Sequence, residues 1–424
     1  MELKKYKLGE IADIYNGSTP STTDSENYDG DIIWVTPKDL SEQKSKYLYK
    51  GARNISQKGY DNCSTQMIPA YNILMSSRAP IGLFTINKVE CCTNQGFKNI
   101  VLNKNAADVD YMYYYLKFHV KEIEALGSGT TFKEVSKQSL ENFCVKLPNL
   151  PVQRKIASVL SSLDSKIALN RRINAKLEQI AKRLYDYWFV QFNFPNEKGK
   201  PYKSSGGKMV WNEALKREVP EGWEVKRLSD FICKNNTGDW GADEPTDKTI
   251  EVGCIRGADI IALNDLPKRF IKSTNTEKLL SEWDMVIEVS GGSPVQATGR
   301  CALITPGVIK RNGNKITCSN FCHAFSFKDY WFSAYFYYLW KMFYDNGIMF
   351  NYEGKTSGIK NFMTETFLAN KWVSAPETLA EKFFGIVKET YAKIDTNIAE
   401  NNKLIALRDK LLPLLMNGQV EVKG

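Results

Sequence analysis

Lys166-Ile167-Ala168-Leu169-Asn170, followed by Asn174-Ala175-Lys176-Leu177 and Leu184, sets the fold of this chain because it occurs twice. Further on, the same order returns as Lys393-Ile394-Asp395-Thr396-Asn397, Asn401-Asn402-Lys403-Leu404 and Leu411. The matches share one offset of 227 residues, and seven of the 19 positions from Lys166 to Leu184 are identical without a gap. Upstream, Gly127, Phe132, Lys133 and Val135 stand opposite Gly354, Ile359, Lys360 and Phe362 at the same offset. The two beginnings pair at an offset of 220, with Leu8 opposite Leu228 and Asp39-Leu40 opposite Asp259-Ile260. A gapless match of this extent, supported at both ends, identifies a tandem duplication with a drifted interior.

Each copy follows one plan. Short β-like runs come first (Ile32 to Val35, Asn99 to Leu102, Met285 to Val289), punctuated by Asn16-Gly17, Asp29-Gly30 and Gly291-Gly292. An aromatic helix follows, Tyr111 to Ala125 and Trp331 to Tyr344, and a long helix almost free of Gly and Pro closes the copy. In the first closing helix Ile156, Leu160, Leu163, Ile167, Asn170, Asn174, Leu177, Ala181 and Leu184 step alternately by four and three. The second set is Phe383, Val387, Thr390, Ile394, Asn397, Asn401, Leu404, Arg408 and Leu411. Pro151 and Pro376 open the two helices, where a missing N–H costs little. At 1.5 Å per residue, 35 to 40 residues give rods of about 55 to 60 Å.

The expected fold class is α+β: two tandem α/β modules separated by two long antiparallel coiled-coil helices, with a pseudo-twofold internal duplication. The expected boundaries are 1–148 for the first module, 149–192 for the first helix and 193–214 for a linker. The second module is 215–375, and 376–424 hold the second helix and tail. Two apolar seams of equal length are expected to pair, with their Asn residues fixing register at some cost in stability. The alternative is that each seam packs only on its own globular region.

Composition narrows the function. Hydrophobic content of 43% and charge of 25% are those of a soluble globular chain, and no apolar run is long enough to span a membrane. The opening Met1-Glu2-Leu3-Lys4-Lys5-Tyr6 lacks the apolar core of a signal peptide, so nine cysteines read as reduced cytoplasmic thiols. The net charge of +9 is concentrated: residues 151–210 hold 12 Lys and Arg against 4 acids, whereas residues 376–424 hold 7 of each sign. A basic middle suits a polyanion, although a solvated helix face has the same composition. Duplex DNA, whose strands are antiparallel, matches two similar modules related by a pseudo-twofold axis, and modules of different sequence imply different half-sites.

Catalytic motifs are weak. Gly354-Lys355-Thr356 resembles the end of a phosphate-binding loop, but Met349 stands where its first glycine belongs. Gly127-Ser128-Gly129 lacks the third glycine of a dinucleotide loop, and no Asn-Pro-Pro-aromatic phrase occurs, which argues against a fused adenine methyltransferase. Cys318, Cys322 and His323, or Cys91 and Cys92, lack the paired spacing of a zinc site. His119 and His323 are the only histidines, and no nucleophile triad can be argued around them.

Base readout uses Arg, Lys, Asn and Gln held on loops, and three loops occur in both copies. Residues 76–80 stand opposite 290–296, 93–95 opposite 319–320, and 130–133 opposite 357–360. The candidate base readers are Arg78, Gln95, Arg256 and Gln296, with Asn94, Thr130, Asn320 and Ser357 on the same loops. Lys133 and Lys360, the retained pair, are the phosphate candidates. Arg171, Arg172, Lys182 and Arg183 suit either a DNA backbone or a partner protein.

Several phrases carry a resemblance. Val219-Pro220-Glu221-Gly222-Trp223-Glu224-Val225-Lys226-Arg227-Leu228-Ser229-Asp230, and Tyr6 to Pro20 in the first copy, resemble the opening of a target recognition domain of Type I restriction-modification specificity subunits. Ile33 to Leu40, Gly127 to Phe132, Leu147 to Ala157 and Leu411 to Val420 are similar to later family phrases. Asn149 and Val152 depart from the usual start of the conserved helix, and the second copy, Ala375 to Leu379, lacks its glutamine. The resemblance implies a non-catalytic subunit that reads a bipartite, asymmetric site in double-stranded DNA. It also implies recruitment of two modification (methyltransferase) subunits and of restriction (motor-nuclease) subunits. S-adenosylmethionine, ATP and Mg would belong to those partners, and no cofactor is expected in this chain. Three rivals stay open: a specificity chain of a combined methylase-nuclease, a coiled-coil scaffold whose heads bind protein, and a self-sufficient methyltransferase. Only the neighbouring subunits separate the first rival from the main reading, whereas steep salt dependence on DNA is expected of a DNA reader and not of the scaffold.

Overall fold

Strand Lys4–Lys7 runs antiparallel to Cys144–Leu147 with Lys4 opposite Leu147. Strand Glu224–Arg227 runs antiparallel to Lys371–Ser374 with Glu224 opposite Ser374, the same register displaced by 220 and 227 residues. A computed structural model describes residues 2–43, 45–129, 133–291, 295–356 and 359–422. The chain divides into two compact units, Met1–Leu169 with Asn401–Gly424, and Asn170–Glu400.

In the first unit a five-stranded sheet has the order Ala12–Asn16, Phe97–Leu102, Ile73–Ser76, Phe84–Asn87, Tyr47–Leu48. Its middle strand Ile73–Ser76 is buried throughout, as expected of a short continuous apolar run at a sheet centre. A three-stranded sheet places Tyr28–Val35 between Arg53–Ile55, antiparallel, and Cys92–Thr93, parallel. Helix Val109–Phe118 starts where the Asp108 carboxylate accepts the Tyr111 N–H at 3.0 Å, and it buries an almost unbroken aromatic run against the larger sheet's core. The expected single helix to Ala125 is interrupted at His119, after which Val120–Ala125 resumes.

The second unit repeats this plan. A four-stranded sheet has the order Ile232–Thr237, Cys322–Phe327, Met285–Glu288, Cys301–Leu303. Thr249–Ile255 lies between antiparallel Lys268–Lys272 and parallel Ile316–Cys318. The aromatic helix is Phe332–Asp345, and its Trp340 indole donates to the Gly299 carbonyl at 2.7 Å from within the core. The stretch read as a linker is folded: Met209–Asn212 pairs with Arg217–Pro220, and Phe192, Val219 and Val373 share a small apolar cluster.

The long helices are Leu150–Tyr185 and Glu377–Met416, 36 and 40 residues, and the first ends in a wider π-type turn, Asp186–Val190. Within the first unit Ile156 and Leu160 share an apolar cluster with Leu415 and Met416, and Arg408 meets Asp164 at 2.8 Å. Within the second, the Asn170 amide donates to Glu400 at 2.7 Å and that of Asn397 to Asn174 at 2.7 Å. Numbers rise on one helix as they fall on the other, so the helices pair antiparallel. Of the seam residues, Ile156, Leu160, Ile167, Asn170, Ala181, Phe383, Val387, Ile394, Asn397 and Asn401 are buried, and Leu163, Leu177, Leu184, Leu404 and Leu411 are half-buried. The helices pair, which excludes packing on the globular regions alone, although Ile156 and Leu160 also touch the core of the first unit's sheet and aromatic helix.

Candidate nucleic-acid interface

In each unit, equivalent backbone hydrogen bonds join described residues at or beside the ends of the three candidate loops. In the first unit the Ser77 N–H donates to the Gly96 carbonyl at 2.7 Å, and the Val135 N–H donates to the Ser77 carbonyl at 3.0 Å. In the second, the Val289 N–H donates to the Phe321 carbonyl and the Phe362 N–H to the Val289 carbonyl, both at 2.8 Å. Ser77, and Val289 just before the equivalent loop, thus each bond backbone next to the other two loops. Backbone groups supply these donors and acceptors whatever the side chains, which leaves the side chains free to differ.

In the first unit Arg78 and Lys133 line one cleft of about 690 Å³, with Ala79, Pro80, Ile81, Glu124 and Glu134. Lys133 is exposed, and Arg78 lies half-exposed with a guanidinium nitrogen 4.0 Å from Glu134. Asn94 turns its own loop by accepting the Gly96 N–H at 2.9 Å, whereas the exposed Gln95 bonds Thr19. Thr130, with Thr131 and Phe132, lies outside the described residues.

The second unit engages its candidates differently. The Arg256 guanidinium is held by two bonds to Asp259, at 2.8 and 2.9 Å, beside the N-terminus of a short 3-10 turn. Asn320 is exposed and accepts the Trp240 N–H at 3.0 Å. Gln296 is half-buried near the Tyr344 hydroxyl. Lys360 is not an open counterpart of Lys133, since its ammonium pairs with Glu353 at 2.8 Å. Ser357 and Gly358 lie outside the described residues, as do residues 292–294 of the first loop.

Sequence reasoning missed the acids and cations under these loops. Lys98 is only 5% exposed, and its ammonium donates to Glu134 at 2.9 Å. Burial works against the Glu134 charge, but Lys98, with Arg78 nearby, outweighs it and holds the carboxyl below its usual range. In the second unit Arg300 makes a two-bond pair with buried Glu288, at 2.7 and 2.8 Å. A lysine inside the run Phe97-Lys98-Asn99-Ile100 was the available signal: in a buried strand it needs a partner.

On the long helices Arg171, Arg172 and Arg183 are exposed, while Lys182 is ion-paired with Asp345. Burial pushes the Cys91 thiol up to about 12 and the Cys92 and Cys322 thiols up to about 11, which keeps them protonated near pH 7. Burial also holds His323 below its ordinary value, so the ring is neutral at pH 7, with Nδ1 3.0 Å from Asn235. Among the described residues no helix is long and apolar enough to cross a membrane.

These features agree with what the chain is similar to. A family model described as the Type I restriction modification DNA specificity domain matches residues 1–179. The chain is 31% identical over 435 residues to the Type I restriction enzyme MjaIX specificity subunit of Methanocaldococcus jannaschii, covering 98% of this chain and 93% of that protein. The HindI specificity subunit of Haemophilus influenzae is 23% identical over 484 residues, covering 98% and 99%. The crystal structure of the S subunit from the M. genitalium Type-I restriction-modification system shares the fold, with a TM-score of 0.55 at 18% identity over 98% of this chain and 96% of that one. With its duplicated modules, paired helices and matching relatives, the chain belongs to the family of Type I restriction-modification specificity subunits.

Proposed function

We propose that this specificity subunit reads a split, asymmetric target in double-stranded DNA, one half with each module, and performs no chemistry itself. The observation that carries this reading is the repeated backbone clasp of residues at or beside the ends of the three loops. Equivalent backbone hydrogen bonds assemble a surface in both units, while the side chains on it differ, as Arg78 and Lys133 differ from Gln296 and ion-paired Lys360. Two surfaces of one build and unlike chemistry suit two unlike half-sites.

The paired helices recruit two modification subunits, and restriction subunits join the assembly. Arg171, Arg172 and Arg183 supply a basic face for that contact or for the DNA backbone between the half-sites. S-adenosylmethionine, ATP and Mg serve the partners, and the assembly works in the cytoplasm. Mapping methylated bases in cells that carry this chain with a modification subunit tests the reading. One gapped adenine-methylated motif is expected, with no labelled methyl transfer by the purified chain alone. An ungapped motif, or transfer by the chain without partners, would refute it.

A further inference from the structure

The internal duplication provides a comparison within the molecule, and it isolates one charged pair. Lys98 sits on Phe97–Leu102, opposite Met75 and Asn16 on the flanking strands. Its counterpart is His323, opposite Ile287 and Thr237. Glu134 bridges Ser128, and its counterpart Asn361 pairs with Gly354, 227 residues beyond Gly127. Where the first unit has an ammonium and a carboxylate, the second has a neutral imidazole and an amide. The same clasp forms in both units.

The fold therefore does not require this ion pair. Burying Lys98 costs the desolvation of its ammonium, and His323 and Asn361 avoid that cost at these two positions of the second unit. What the pair adds is local to the cleft. Glu134 gives one oxygen to Lys98 at 2.9 Å, and its other oxygen lies 4.0 Å from an Arg78 nitrogen. The Ser77 hydroxyl lies 3.4 Å from the same carboxylate. Arg78 is thus aimed along the cleft by a carboxylate whose charge is already met from below, and it is not locked as Arg256 is by Asp259. A loosely held guanidinium keeps a planar fork of donors to offer the acceptor edge of a guanine, the commonest specific contact in a major groove.

We propose that Lys98 and Glu134 are positioning residues that present Arg78 to a base edge, and that this trio sets one position of the half-site read by the first module. The proposal rests on the DNA-reading function above. It is tested by methylation mapping of the full chain with its partners, carrying the second unit's residues as the double substitution Lys98→His with Glu134→Asn. The expected result is a loss of roughly tenfold or more in preference at one base pair of one half-site, with the other half-site and the gap unchanged. A map identical to that of the unsubstituted chain overturns the proposal, as does an equal loss at every position of that half-site.

Should the double variant fail to accumulate, Arg78→Gln at the rim of the cleft asks the same question. A single degenerate position supports the proposal, and an intact motif overturns it. The two ideas fail separately: if the unsubstituted chain yields no split motif, the function falls. If it yields one that these variants leave intact, only the assignment of the trio falls.

Discussion

Asp164 and Arg408 meet at 2.8 Å where the two long helices pass, and Asp164 also accepts the Tyr114 hydroxyl at 2.5 Å. One carboxylate thereby links both helices to the aromatic helix of the first module. Its side chain is 18% exposed and that of Arg408 20%, so neither group is well solvated.

Removing one member strands the other. Arg408→Met is expected to destabilise the chain by on the order of 3 kcal/mol, because Asp164 keeps its charge without its main partner. The double variant Arg408→Met with Asp164→Leu should recover most of that loss. Urea midpoints measured across the four-member cycle check both statements.

The helices carry polar residues where a purely apolar seam would pack more tightly. Asn397 donates to Asn174 at 2.7 Å, and Asn174 donates to the Ile394 carbonyl at 3.4 Å. Asn397→Leu alone should cost about 1–3 kcal/mol, since the half-buried Asn174 loses a partner. Converting both to Leu should restore or raise the thermal midpoint and relax the register, which disulfide trapping at neighbouring positions would detect.

Two glycines mark the duplication at the level of backbone contact. A Cβ at Gly17 would lie 1.9 Å from the Asn94 carbonyl oxygen, and one at Gly238 would lie 2.1 Å from that of Cys318. Alanine at either site must push strands apart, at roughly 1–3 kcal/mol or more. Limited proteolysis should show Gly17→Ala loosening the first unit and Gly238→Ala the second.

Stability should also fall in alkali. Burial pushes the thiols of Cys91, Cys254 and Cys301 up to about 12, and those of Cys92 and Cys322 up to about 11, from an ordinary 9.0. Above the unfolded value the unfolded chain releases protons that the folded chain retains. The stabilisation is therefore fully present below about pH 9 and declines as pH rises toward the folded values. A lower urea midpoint at pH 10 than at pH 8 is the expected reading, while exposed Cys144 and Cys233 react first with a thiol reagent.

Much of the architecture was legible because it rests on periodicity and repetition. The offsets of 220 and 227 found through Leu8 and Lys166 reappear as strand registers and as the starts of the long helices at Leu150 and Glu377. The interruption at His119 was not legible, because no Gly or Pro marks a break between Val109 and Ala125. Loop proximity was partly readable, since paired loops in two copies pointed to one surface. Which side chains are engaged was not, because Arg256 meets Asp259 through local capping and Lys360 meets Glu353 through a hairpin, and neither partnership leaves a periodic trace. Lys98 was overlooked for a related reason: in sequence it is one lysine of many, and only burial makes it costly.

Exchange of one module bears most directly on the account. Residues 215–375 would be replaced by the corresponding module of a relative with a different target, and methylated sites mapped in cells with the same partner subunits. One half of the motif should change while the other half persists unaltered. A chimera that changes both halves, or neither while still directing methylation, would show that the two modules do not read separately.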